Sequence, residues 1–126
     1  MSLADQLTTA AARGDTEDVE ALLRRGAPVD GENCFGRTAL QVMMMGSSAV
    51  ARLLLDHGAD PGVRDRSTGS TPLHDAAREG FVETVRLLVQ AGAEHRARDN
   101  KHCTPADLAR EEGHADVVAF LDTLEN

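Results

Sequence analysis

Gly69-Ser70-Thr71-Pro72-Leu73-His74-Asp75-Ala76-Ala77-Arg78-Glu79-Gly80-Phe81 is the stretch that decides how the rest of the chain is read. The Thr71 hydroxyl is suited to accept from an orphan backbone N–H in a first helical turn. Pro72 fits the first helical position, where its missing donor costs nothing and its fixed φ already suits a helix. Leu73, Ala76 and Ala77 fall on one side at helical spacing, and Gly80 closes the segment after fewer than three turns. An isolated helix this short does not hold in water, because nucleation is unfavourable and its apolar stripe is small. It requires neighbours built on the same plan.

The chain supplies them. The candidate caps Asp5, Thr38, Thr71 and Thr104 follow one another at intervals of 33 residues. The glycines placed to end each first helix are Gly14, Gly46, Gly80 and Gly113. Beyond them, Val19, Ala51, Val85 and Val118, then Leu22, Leu54, Leu88 and Leu121, recur at matching offsets and form the apolar stripe of a second helix. Gly26-Ala27, Gly58-Ala59 and Gly92-Ala93 end the first three repeats, and a polar turn leads to the next cap. The period and the Thr-Pro-Leu-His-x-Ala-Ala pattern resemble the ankyrin repeat of about 33 residues, a turn followed by two helices. The resulting expectation is an all-α ankyrin-repeat solenoid of four helix-turn-helix repeats joined by β-hairpin-like loops. It fills residues 1–126 as a single domain, with repeats at 5–33, 34–66, 67–99 and 100–126. Leu7, Ala10 and Ala11 face inward in the first repeat, and Met1 to Ala4 form a frayed tail.

Composition narrows the function. The chain is 41% hydrophobic but only 2% aromatic, so small residues let paired helices approach closely. A net charge of −8 and the lack of Trp and Tyr argue against nucleic acid, whose binding draws on clustered cations and stacking rings. An acidic surface favours a basic protein partner instead, chiefly by raising the encounter rate. No apolar run is long enough to span a bilayer and no signal peptide is read at the N-terminus, so the chain reads as soluble and intracellular, with no membrane partner. Cys34 and Cys103 occupy unrelated repeat positions without a second cysteine nearby, which suits free thiols. No His-Glu-x-x-His, Gly-x-Ser-x-Gly, phosphate loop or paired metal-ligand spacing is present, so no catalytic, cofactor or metal site is expected.

Two neighbouring departures from the period stand out. Thr38 to Gly46 is one residue shorter than the same interval in the other repeats, so the first helix of the second repeat should form only about one good turn. Its Gln41-Val42-Met43-Met44-Met45 replaces the usual His-x-Ala-Ala. Three successive methionines leave a helix about 100° apart and cannot all point inward. They either fill gaps in a distorted helix or place one or two thioethers on the surface as an adaptable contact, and the residues alone leave both open. The connection to Thr71 is one residue longer than its counterparts, with the addition placed in Asp65-Arg66-Ser67-Thr68-Gly69. Broken local rules concentrate at functional sites. His74 reads as a scaffold residue, whereas Asp75, mid-helix where Asp is a poor helix former, is either a solvated carboxylate or an anionic hot spot. Glu111, Glu112, Asp116 and Asp122 mark the fourth repeat as a solubilising cap.

Ala10-Ala11-Ala12-Arg13-Gly14, Gly36-Arg37-Thr38-Ala39-Leu40-Gln41-Val42-Met43-Met44-Met45-Gly46 and His74-Asp75-Ala76-Ala77-Arg78-Glu79-Gly80-Phe81 together resemble the ankyrin-repeat inhibitors of the cyclin-D-dependent kinases, in particular the short four-repeat members. The shortened second repeat is itself a feature of that family. The resemblance implies a monomeric, cytoplasmic and nuclear inhibitor of kinases four and six. It would bind the catalytic subunit beside the ATP cleft, distort the ATP site and weaken cyclin D action, restraining retinoblastoma-protein phosphorylation and G1 progression. Residue by residue, it implies that Asp75 pairs with a kinase arginine and that Asp65 is a second acidic contact. Gln41, Met43 and Met44 match the second-repeat contact surface, and Arg78, Phe81, Glu83 and Glu17 match positions at or supporting the interface. The alternative is an ankyrin-repeat adaptor for a different protein, since fold alone does not fix function.

Overall fold

The capping chemistry of the repeats sets where the helices begin. In the computed structural model, which describes residues 1–125, Thr38, Thr71 and Thr104 each accept from the backbone N–H three residues on. In each case the side chain at that third position, Gln41, His74 or Asp107, accepts back from the threonine N–H. Two orphan donors are satisfied at every such start. The chain forms two compact units, divided after Asp60.

The first unit holds α1 (Leu3–Arg13), α2 (Thr16–Arg24), α3 (Ala39–Val42) and α4 (Ser48–Asp56). α1 packs on α2 and α3, and α4 packs on α2 and α3. Leu7, Ala11, Val19, Leu40, Val50 and Leu54 are fully or almost fully buried. Two expectations are corrected at the start of α1. Ser2, not Asp5, is the N-cap, accepting from the Asp5 N–H at 3.0 Å, so Leu3 and Ala4 are helical rather than frayed. Ser2-Leu3-Ala4-Asp5 offers a cap and an N3 carboxylate one turn ahead of the repeat register, and that local chemistry wins.

α3 is the single turn that the missing residue demands. It stops at Val42, and Met43 turns extended at ψ 155, so Gly46 ends no helix. The Met44 N–H, which a longer helix would have used internally, donates to the Ala11 carbonyl at the end of α1 (3.0 Å). The break thus leaves that donor paired.

The second unit holds α5 (Pro72–Glu79), α6 (Val82–Gln90), α7 (Pro105–Glu111) and α8 (Ala115–Thr123). α5 packs on α6 and α7, and α8 packs on α6 and α7. Leu73, Ala76, Ala77, Val85, Leu88, Ala109, Val117 and Leu121 form its buried centre. Val118, expected inside, is only partly covered, because among the described residues no further helix pair follows to cover it as α8 follows α6.

The connections between repeats are closed tips, with no strand assigned among the described residues. In the first, the Asn33 N–H donates to the Arg37 carbonyl, and in the third the Asp99 N–H donates to Cys103. In the second, the Asp65 N–H reaches one residue further, to Ser70 at 2.8 Å, which locates the added residue within the tip. Among the described residues no helix is long and apolar enough to cross a membrane.

Candidate functional site

Asp75 lies in the first turn of α5, where a carboxylate favours the positive helix end, so its position there is not the poor choice that propensity alone suggests. Its Oδ1 accepts from the Ser70 hydroxyl at 2.8 Å and from the Arg78 guanidinium at 3.1 Å. The side chain is 31% exposed, and both of these bonds fall on one oxygen. An oriented, half-covered carboxylate of this kind can accept a cationic donor from outside at little reorganisation cost.

The neighbouring His74 is fully buried and structural. Its Nδ1 accepts from the Thr71 N–H at 3.1 Å, and its Nε2 lies 2.9 Å from the Cys103 carbonyl, so Nε2 carries the proton. Gly80 ends α5 in the left-handed region at φ 83 and launches Phe81, which stands 42% exposed at the start of α6. Glu83 is an exposed residue paired with Arg86 at 3.8 Å.

Asp65 serves the turn it sits in. Its Oδ1 accepts from the Ser67 and Thr68 N–H groups at 2.8 and 3.2 Å. Asn33 and Asp99 use the same oxygen in the same way in the other tips. An Asx residue opens all three tips for a local reason.

In the first unit, Gln41 is occupied by the α3 capping box, its Oε1 accepting from the Thr38 N–H at 2.7 Å. Of the three methionines, Met43 and Met45 are buried at 4% and 6% exposure, while Met44 is 49% exposed. Its sulfur lies over Gly14, where a Cβ would approach to 2.9 Å. The single turn of α3 therefore divides the methionines between gap filling and surface. Glu17 is exposed in the first turn of α2.

Three features of these surroundings were not read from the sequence. Phe35 is 80% exposed in the first tip, and the signal was an aromatic inside an Asn-x-x-Gly turn. Ser70, buried beneath Asp75, carried no pattern. The His114 Nε2 donates to the Arg78 carbonyl at 3.0 Å, bringing α8 to the end of α5.

Titration is perturbed mainly around the third tip. The Thr104 N–H donating to Asp107 holds that carboxyl below its usual range. Burial works against ionisation of Asp99, but the N–H groups of Cys103 and Lys101 outweigh it and lower its pKa. Burial and the nearby Asp99 push the Cys103 thiol up, away from reactivity. Among the described residues no cluster of three or more His, Cys, Asp or Glu side chains is placed to hold a metal ion.

The family model for ankyrin repeats matches residues 7–99 and 64–123. Human cyclin-dependent kinase inhibitor 2A is 53% identical over 118 residues, covering 94% of this chain and 76% of that protein. Human cyclin-dependent kinase 4 inhibitor B is 54% identical over 117 residues, covering 93% and 85%. Rattus norvegicus cyclin-dependent kinase 4 inhibitor B is 51% identical over 115 residues, covering 91% and 88%. With the repeat architecture in place and more than half of the residues shared along nearly its full length, this chain belongs to the ankyrin-repeat family of cyclin-dependent kinase inhibitors that includes 2A and 4B.

Proposed function

We propose that the chain inhibits the cyclin-D-dependent kinases four and six by binding the catalytic subunit beside its ATP cleft. The observation that carries this reading is the Asp75 carboxylate, half-covered and aimed by Ser70 and Arg78 through a single oxygen. A kinase arginine would complete the pairing on the second oxygen. Arg78, Phe81, Glu83 and Asp65 would flank that contact on the second unit. On the first unit Met44 would supply an adaptable thioether, with Gln41 and Glu17 as polar neighbours and the buried Met43 shaping the turn beneath.

Inhibition follows from bias rather than blockade. The bound chain would favour a kinase arrangement with a distorted ATP site and weakened cyclin D action, and so restrain retinoblastoma-protein phosphorylation and G1 progression in cytoplasm and nucleus. To carry a kinase from one part in a hundred inactive to ninety-nine, the inactive arrangement must bind about 5.5 kcal/mol more tightly. The names of the relatives and the shared identity over more than nine-tenths of the chain support an inhibitor over an enzyme.

Titration calorimetry against an isolated kinase subunit tests the reading, with Asp75→Asn alongside. Tight one-to-one binding by the parent and a loss of about 2–5 kcal/mol in the folded variant is the expected result, since the partner arginine is left buried and unpaired. A folded parent that does not bind overturns it in favour of an adaptor for another protein.

A further inference from the structure

We infer that Asn100, in the third tip, is a positioning residue for the second tip and through it for Asp75; the inference rests on the kinase-binding reading. An added residue in an exposed turn ordinarily adds mobility. Here the added residue is held from outside. The Asn100 N–H donates to the Thr68 carbonyl at 2.8 Å, and its side-chain Nδ2 donates to the Ser67 carbonyl at 3.1 Å. The next residue, Gly69, adopts φ 72, and a Cβ built on it would collide with the Asn100 amide, so the two fit only because the glycine has none. The Arg64 guanidinium adds a second strap, donating to the Gly69 carbonyl at 3.0 Å and to the Arg98 carbonyl at 2.8 Å.

The clamp ends where the proposed hot spot begins. Ser70 follows Gly69 directly, is buried, and donates its hydroxyl to Asp75. Whatever fixes Ser67 to Gly69 therefore fixes the donor that aims the Asp75 carboxylate. Asn100 and Arg78 also line one crevice of about 340 Å³ together with Ser67 and Thr68, so clamp and ion pair share a wall. The fourth repeat, which its charges mark as a cap, thus reaches into the binding surface through one amide. Ordering the tip before the partner arrives removes an ordering cost from binding.

The test measures amide hydrogen exchange and kinase affinity for the parent and for Asn100→Ala and Asn100→Asp, both of which keep the backbone donor and lose Nδ2. Exchange at Ser67, Thr68, Gly69 and Ser70 should quicken, and kinase affinity should fall about three- to tenfold, the worth of one hydrogen bond. The urea midpoint should fall only slightly, by no more than the loss of that one bond accounts for. In an Asp75→Asn background the same substitutions should cost no further affinity, which a merely structural role would not produce. Unchanged exchange, quickened exchange with unchanged affinity, or an equal affinity loss in both backgrounds overturns the inference. A parent that fails to bind the kinase overturns the reading beneath it, a result distinct from all three.

Discussion

Gly80→Ala isolates the join between α5 and the fourth repeat. Gly80 sits at φ 83, where an alanine pays about 1–2 kcal/mol of backbone strain. Its missing Cβ is also the seat of the His114 ring, whose Nδ1 and Cε1 would lie 2.5 and 2.6 Å from an added methyl. The ring must leave, and its bond to the Arg78 carbonyl, worth about 0.5–1.5 kcal/mol, goes with it. The two terms place the cost at about 1.5–3.5 kcal/mol. Gly92→Ala is the control, since φ is 101 there and nothing lies within 4 Å, so strain alone remains at about 1–2 kcal/mol. In a His114→Ala background the clash and the bond are both gone, and Gly80→Ala should fall to the control value. Urea unfolding followed by circular dichroism measures all four, because a chain without Trp or Tyr has no convenient fluorescence signal. Equal costs for Gly80→Ala and Gly92→Ala, or a Gly80→Ala cost that ignores His114, would refute the assignment of this join.

Asp75→Asn should fold like the parent and lose less than about 2 kcal/mol of stability, since a half-exposed ion pair and a helix-dipole term are each worth under about 1 kcal/mol; a collapsed helical spectrum would make Asp75 a structural residue. Leu54→Ala, at a fully buried position of α4, should cost about 2–5 kcal/mol by leaving a cavity, and a loss under 1 kcal/mol in the same urea assay would contradict the packing. Phe35→Ser removes an exposed side chain and should shift stability by no more than about 0.5 kcal/mol, read as an unchanged urea midpoint. The lowered pKa of Asp107 means that its ionised form is stabilised on folding, so its contribution is full above about pH 4 and is lost as pH falls through the folded value. Acid titration of stability should therefore be shallower below pH 4 in Asp107→Asn, and an identical slope would show that its hydrogen bond to Thr104 carries no linkage.

The repeat frame was legible because three threonines, their Pro or Ala successors and the glycine closures recur in register, and the helices start where those caps lie. The break in α3 was legible for the same reason, since one residue fewer between cap and glycine leaves no length for a second turn. What the period could not show was competition from local chemistry. Ser2 captures the start of α1 because its hydroxyl and the Asp5 carboxylate form a cap one turn before the register predicts. Val118 matches Val85 in sequence but not in burial, because burial depends on what packs next and not on the residue itself. Phe35 was passed over since an unpaired aromatic in a turn belongs to no periodic pattern.

The two departures from the period differ in kind, and the way each is absorbed argues that both are built rather than tolerated. The lost residue in α3 frees a backbone donor at Met44, and the Ala11 carbonyl takes it at 3.0 Å, which fixes Met44 outward while Met43 and Met45 go in. The gained residue in the second tip frees two carbonyls, at Ser67 and Thr68, and Asn100 takes both. An accidental deletion or insertion would leave such groups to water, with the local backbone fraying around them. Here each is satisfied within its own unit, in the first by the Ala11 carbonyl and in the second by Asn100, a residue that the repeat pattern does not specify. The consequence at both places is a side chain held in one orientation, Met44 in the first unit and Ser70 with Asp75 in the second. Rigid presentation of an adaptable thioether and an aimed carboxylate is what the proposed kinase contacts would need.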